Sequence, residues 1–216
     1  LVQPGAFLPA AERFHLISRV DRWVVSRAIA WLQALPDLSR METLSINLSG
    51  KSVGDRAFHT WVYQRLADAG PAVCSRLCLE ITETAAVTNL ADAAVFIGQV
   101  RAVGVKVALD DFGAGASSFG YLKALPVDVL KIDGQYIKNI VHDPLDEAAV
   151  RCFTDVARLL GLQTVAEFVD SDAIRKRFPY ISERMVCGTF HQNDGWLSTH
   201  EATQGFAKGS EAKFLL

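Results

Sequence analysis

The chain has 216 residues, half of them hydrophobic and 21% charged, with a formal net charge of −2. That composition suits one globular domain with a sizeable core, and the absence of any lysine- or arginine-rich block argues against a surface for polymeric nucleic acid. No apolar run approaches the roughly 18 residues of a membrane span, and Cys74, Cys78, Cys152 and Cys187 show neither zinc spacing nor a disulfide framework, so a reducing cytoplasm is the expected setting. The sequence opens on Leu-Val-Gln-Pro-Gly, which reads as a cut inside a longer protein.

In chain order, Pro9 is expected to open a helical stretch through Phe14, Ile17, Val20, Trp23 and Leu32, with Ser18 and Asp21 as a point where it divides in two. Leu44 to Ser49 reads as a strand with a polar Asn47 in an apolar setting, and Phe58 to Ala69 as a helix stopped by Gly70-Pro71. Leu77 to Thr82 is a second strand, interrupted by Glu80, and a helix through Phe96, Ile97 and Val100 ends at Gly104. The third strand, from Lys106, runs into two adjacent carboxylates, Asp110 and Asp111, and a loop rich in glycine and serine. Neighbouring strand residues face opposite ways, so the pair diverges unless the backbone turns, which Gly113 and Gly115 permit. After a short helix ending at Pro126, Val127 to Asp133 is a fourth strand bearing Lys131 and Asp133. A helix over Glu147 to Leu160 precedes a fifth strand, Gln163 to Asp170, bearing Glu167.

Strands alternating with helices imply parallel pairing through right-handed crossovers. Each strand places a polar side chain late in its run, and in a parallel barrel those ends meet on one face. An open doubly wound sheet would gather its ligand at one crevice, and phosphate-binding glycine fingerprints are absent from the turns. The expected fold class is therefore α/β, a (β/α) barrel, with five clear strands and hence an incomplete wall. Read singly, each polar residue is a structural group at a strand end, Asp111 a loop cap and Asp110 a solvated acid. Read together, Asn47, Glu80, Asp110 and Asp111 offer only oxygen donors, which suit Mg²⁺ or Mn²⁺. Two such ions about 3.5–4 Å apart can activate water and stabilise a leaving oxygen in phosphodiester hydrolysis. Lys131 could hold the water or neutralise a phosphate, and Glu167 could be a ligand or a base.

INLS at 46–49, LEITET at 79–84, ALDDFGAG at 108–115, LPVDVLKID at 125–133 and TVAEFVD at 164–170 strongly resemble the EAL-domain family of cyclic di-GMP phosphodiesterases and their inactive, ligand-binding relatives. The resemblance runs from about Pro4 to Ile174. It implies a modified TIM barrel of EAL type with an antiparallel first strand, and Mg²⁺- or Mn²⁺-dependent opening of cyclic di-GMP to the linear dinucleotide pGpG in bacterial signalling. By position, Asn47, Glu80 and Asp110 would be metal ligands and Asp111 would serve a second ion. Lys131 would place the water and Glu167 would complete the metal and water shell. Glu83 would anchor the loop after the aspartates, and Asp133 and Asp170 are further candidates to touch the substrate or support the ligands. The family also implies a homodimer formed through that loop, and sensory or GGDEF domains upstream.

The departures are specific. The name-giving Glu-Ala-Leu strand should lie just before Leu1, so the 216-residue chain alone is expected to show little or no turnover for want of one carboxylate. Ala114 and Ala116 stand where the family usually has threonine and tyrosine, and Phe168 and Asp170 replace a glycine and a glutamate. Cys187-Gly188 stands where a catalytic glutamine and glycine are usual. The resemblance is expected to fail beyond Arg177, dividing the chain into a partial barrel, 1–177, and a divergent tail, 178–216, that completes the barrel or is disordered. The competing reading is an inactive EAL domain that acts as a cyclic di-GMP receptor or regulatory module.

Overall fold

A computed structural model describes residues 4–115, 119–166 and 185–187. Its strands are β1 (Leu44–Leu48), β2 (Leu77–Thr82), β3 (Lys106–Phe112), β4 (Val129–Ile132), β5 (Gln163–Ala166) and β6 (Met185–Cys187). They form one sheet in the order β1-β2-β3-β4-β5-β6, and every neighbouring pair is parallel. A doubly wound sheet reverses its strand order at a switch point; this one never does, so successive right-handed crossovers stack on one side as in a barrel wall. The five expected strands are present, and the segment after Arg177 adds a sixth, which extends the sheet beyond β5.

The helices are α1 (Pro4–Arg13), α2 (Ile17–Ala34), α3 (Gly50–Val53), α4 (Arg56–Ala69), α5 (Pro71–Cys74), α6 (Glu83–Thr88), α7 (Leu90–Ala102), α8 (Gly134–Lys138) and α9 (Pro144–Leu160). Their ends follow local chemistry. Asp55 caps α4 by accepting from the Ala57 amide at 2.8 Å, and Asp143 caps α9 by accepting from Leu145 at 2.8 Å, with Pro144 in the first turn. Gly161, at φ 74°, closes α9 in the left-handed region. The first helical stretch departs from expectation: α1 starts at Pro4 with Pro9 inside it, and the break falls at 14–16, where His15 has φ 57°. Asp21 does not divide a helix; it sits within α2, fully buried.

Strand alternation sorts the sheet into two faces. Ile46, Leu79, Leu109 and Leu130 face the helices and join a large cluster with Leu32 of α2, Phe58 of α4 and Phe96 of α7. On the opposite face, Cys78, Ala108 and Val129 form a small cluster with Val165 packed against it. One step further toward the carboxyl ends of the strands, that same face bears Asn47, Glu80, Asp110 and Lys131. Burial of a large apolar side chain is worth about 1.5–3 kcal/mol, so the helix-packed face holds the fold and leaves the other free to carry charge.

Candidate active site

Glu80, Asp110 and Lys131 meet on the inner face. The Lys131 Nζ lies 2.9 Å from Glu80 Oε2 and 2.7 Å from Asp110 Oδ1, and the three residues are 2%, 8% and 4% exposed. Asn47 is the register partner of Glu80 on β1, and the Ser45 hydroxyl hydrogen-bonds Glu80 from the same strand. Parallel partners in register point the same way, which sets the Asn47 amide beside the Glu80 carboxylate. One ammonium faces two carboxylates, so the cluster keeps surplus negative charge. Burial, opposed by Lys131 and reinforced by Asp110, pushes the Glu80 carboxyl up to about 7.

The two aspartates are separated by a β-bulge. Leu109 pairs with Leu130 and Phe112 with Ile132, so β3 spends one more residue than β4 over that step. Asp111 absorbs it at φ 53°, a left-handed conformation that aspartate tolerates better than most residues, and its amide donates to Asp110 Oδ1 at 3.1 Å. The turn therefore begins at Asp111 itself, ahead of the glycines. Asp110 points inward to Lys131, while Asp111 stands exposed at the strand end. Partial dehydration, then the charges of Asp110 and Asp133, raise the Asp111 carboxyl, with Lys131 opposing. Asp133 caps α8, accepting from the Gln135 amide at 2.7 Å.

Glu83, in the first turn of α6 and 2% exposed, holds the loop after the aspartates. Its Oε2 accepts from the amides of Gly113 at 3.0 Å and Gly115 at 3.2 Å, and its Oε1 accepts from the Tyr121 hydroxyl. The Tyr121 phenol is raised by burial first and by this carboxylate second. Tyr136 of α8 donates to the Gly113 carbonyl at 2.8 Å, so the peptide groups on both sides of Gly113 are held. Gly113 has φ 98°, and a Cβ there would lie 2.7 Å from the Tyr136 ring and 3.0 Å from Phe153; no other residue fits without displacing that packing. Sequence reading did not single out Tyr121 or Tyr136. Their signal was faint: each lies inside a short helix flanking β4, Tyr121 in Phe119–Lys123 and Tyr136 in α8.

The oxygen donors of Asn47, Glu80, Asp110 and Asp111 match a hard divalent cation in kind. Among the described residues no three acidic, histidine or cysteine side chains gather closely enough to hold one by themselves, so a complete set takes further donors. Glu167 and Asp170, both expected at the site, lie outside the described residues, as does Ala116.

A parallel barrel wall with an acidic, oxygen-rich cluster and one buried lysine at the carboxyl ends of its strands defines an α/β barrel domain whose site suits a cation and an anionic substrate. The chain belongs to the EAL domain family, whose profile matches residues 1–193 and so extends past Arg177, where the resemblance was expected to stop. It is 40% identical over 183 residues to the cyclic di-GMP phosphodiesterase PdeB of Shewanella oneidensis, covering 84% of this chain and 21% of that protein. It is 35% identical over 176 residues to the cyclic di-GMP phosphodiesterase PdeF of Escherichia coli, covering 82% and 23%. The chain thus spans under a quarter of the length of these two relatives. Among solved structures, the PaMucR phosphodiesterase in complex with c-di-GMP has a TM-score of 0.72 at 33% identity, covering 85% of this chain and 75% of that one. The Xanthomonas citri FimX EAL domain in complex with c-diGMP has a TM-score of 0.72 at 30% identity, covering 82% and 70%.

Proposed function

We propose that this chain is the cyclic di-GMP phosphodiesterase domain of a longer bacterial signalling protein and opens the cyclic dinucleotide to linear pGpG. The observation that supports it most is the meeting of Glu80, Asp110 and Lys131 within 2.9 Å on the inner face, with Asn47 in register beside them. A cyclic dinucleotide brings two phosphodiester charges to a site already in negative excess, so approach requires added positive charge. Mg²⁺ or Mn²⁺ held by Asn47, Glu80 and Asp110, with Asp111 toward a second ion, would supply that charge and acidify water.

The protein's own groups do the rest. Lys131, ion-paired to both buried carboxylates, holds them in place and is assigned to position the attacking water or a phosphate oxygen. Glu83 fixes the backbone after Asp111 and so the direction in which that carboxylate points. Glu167 is assigned to the metal and water shell, and Asp170 and Asp133 to its support, on sequence position. The division into a partial barrel domain, 1–177, and a divergent tail, 178–216, is assigned on sequence. Partner expectations, carried from the sequence, are a homodimer through the loop after Asp111 and sensory or GGDEF domains upstream. No helix among the described residues is long and apolar enough to cross a membrane.

The test is chromatography of cyclic di-GMP incubated with the full-length parent protein and Mg²⁺ or Mn²⁺. Linear pGpG should appear only with the metal and fall at least about 100-fold in Asp110→Asn and Lys131→Met. Tight binding without product from the wild-type protein would overturn the hydrolase reading in favour of a receptor.

A further inference from the structure

Away from the Lys131 cluster, another carboxylate is buried with no cation beside it among the described residues. Asp21 is 0% exposed in the middle of α2, where Ile17, Val25 and Ala28 mark the same buried stripe. Its Oδ2 accepts from the Ser49 amide at 3.1 Å, the Ser49 hydroxyl at 2.6 Å and the Ser52 hydroxyl at 2.6 Å. Its Oδ1 is buried and has no partner among the described residues. An aliphatic side chain at this stripe position would pack without the desolvation cost of a carboxyl group, so generic core packing does not account for an acid here.

The three donors have one thing in common: all belong to the turn that leaves β1. Ser49 follows Asn47 by two residues and leaves β1 in extended backbone, φ −69° and ψ 149°, with its hydroxyl on Asp21 of α2. Its hydroxyl also accepts from the Ser52 amide at 3.3 Å and starts α3. Among the described strands β1 pairs only with β2, so the sheet holds the end of β1 from one side. Asp21 holds it from the other, bridging α2 to the backbone next to Asn47.

We propose that Asp21 is a positioning residue: through Ser49 and Ser52 it fixes the end of β1 so that the Asn47 amide is presented beside Glu80 at the cation site. The metal role of Asn47 rests on the phosphodiesterase reading; the fixing of its orientation does not. Burial pushes the Asp21 carboxyl up and the serine hydrogen bonds oppose this, so the hydroxyls stabilise its charged form.

The experiment has two arms on the full chain. In the first, ¹⁵N NMR follows the Asn47 side-chain amide and the hydrogen exchange of the Ser49 amide. In Asp21→Ala the Ser49 amide should exchange about 100-fold faster and the Asn47 amide signals should move. Asp21→Asn, which keeps a carbonyl acceptor, should restore most of both. In the second arm, Mn²⁺ titration should show an affinity loss of about 10-fold in Asp21→Ala, the size seen when a group supporting a ligand is removed. That loss should vanish when the same change is made in an Asn47→Ala background. Unmoved Asn47 signals in a folded Asp21→Ala protein, or an equal Mn²⁺ loss with Asn47 already gone, would overturn the proposal. If the wild-type full-length parent protein binds no Mn²⁺, the phosphodiesterase reading fails and the first arm alone decides the role of Asp21. Should Asp21→Ala not fold, Ser49→Ala, which removes one hydroxyl link and keeps the carboxylate, is read by the same signals.

Discussion

On β2, Leu77, Leu79 and Ile81 turn toward the helices, while Cys78 and Glu80 turn the other way, and β3 and β4 repeat the division with Leu109 against Asp110 and Leu130 against Lys131. The two faces bury their residues about equally well: Leu79 is 0% exposed and Glu80 2%. What separates them is the partner each demands. A leucine is satisfied by any close-packed apolar neighbour, whereas Glu80 and Asp110 are tolerable in a dry interior only because one specific ammonium lies within 2.9 Å of both. The helix-packed face therefore responds to volume and the inner face to charge.

Removing the shared cation tests this division most severely. Lys131→Met nearly preserves volume but strands two buried carboxylates, and is expected to destabilise the metal-free protein by about 4 kcal/mol in urea titration. A loss under about 1 kcal/mol would show that water reaches the cluster and that the inner face is not dry. Across the sheet, Leu79→Ala should cost about 3 kcal/mol through the cavity it leaves, with the Mn²⁺ affinity of the folded protein within twofold of wild type. A large affinity change there would mean that the faces are not independent. The smallest effect is the response to pH. The Glu80 carboxyl lies at about 7 in the folded chain against an ordinary 4.5, so the folded state binds the proton more tightly than the unfolded one. Its contribution is complete below about pH 4.5 and is lost as pH rises through 7. Glu80→Gln should flatten the metal-free melting temperature across that window. An unchanged slope would assign the titration to another group.

The same division explains what could be read from sequence. Polar residues inside apolar runs, such as Glu80 in LCLEIT and Lys131 in VDVLKID, are conspicuous because a strand shows its two faces in alternate letters. The β2 boundaries coincide with the observed strand, and the parallel barrel follows from the alternation with helices. Helices α3, α6 and α8, of four to six residues, are too short for a helical period to register. Strand β6 escaped for the same reason, with three residues to announce it. The bulge at Asp110–Asp111 depends on pairing with β4, which no local pattern encodes. Asp21 could have been found: it falls on the stripe Ile17, Asp21, Val25, where an acid in a core position signals a buried partner and not a helix break.

The unbroken strand order also sets a timetable. Each strand pairs with one synthesised just before it, so the wall can grow by accretion at a single moving edge as the chain leaves the ribosome. Glu80 and Asp110 emerge first and Lys131 follows, at typical elongation rates, about one to four seconds after Asp110. During that interval the two acids have no counter-charge and must stay hydrated. Arrival of β4 is the event that lets the mouth of the barrel shed its water, which places the site among the last parts of the first four strands to dry.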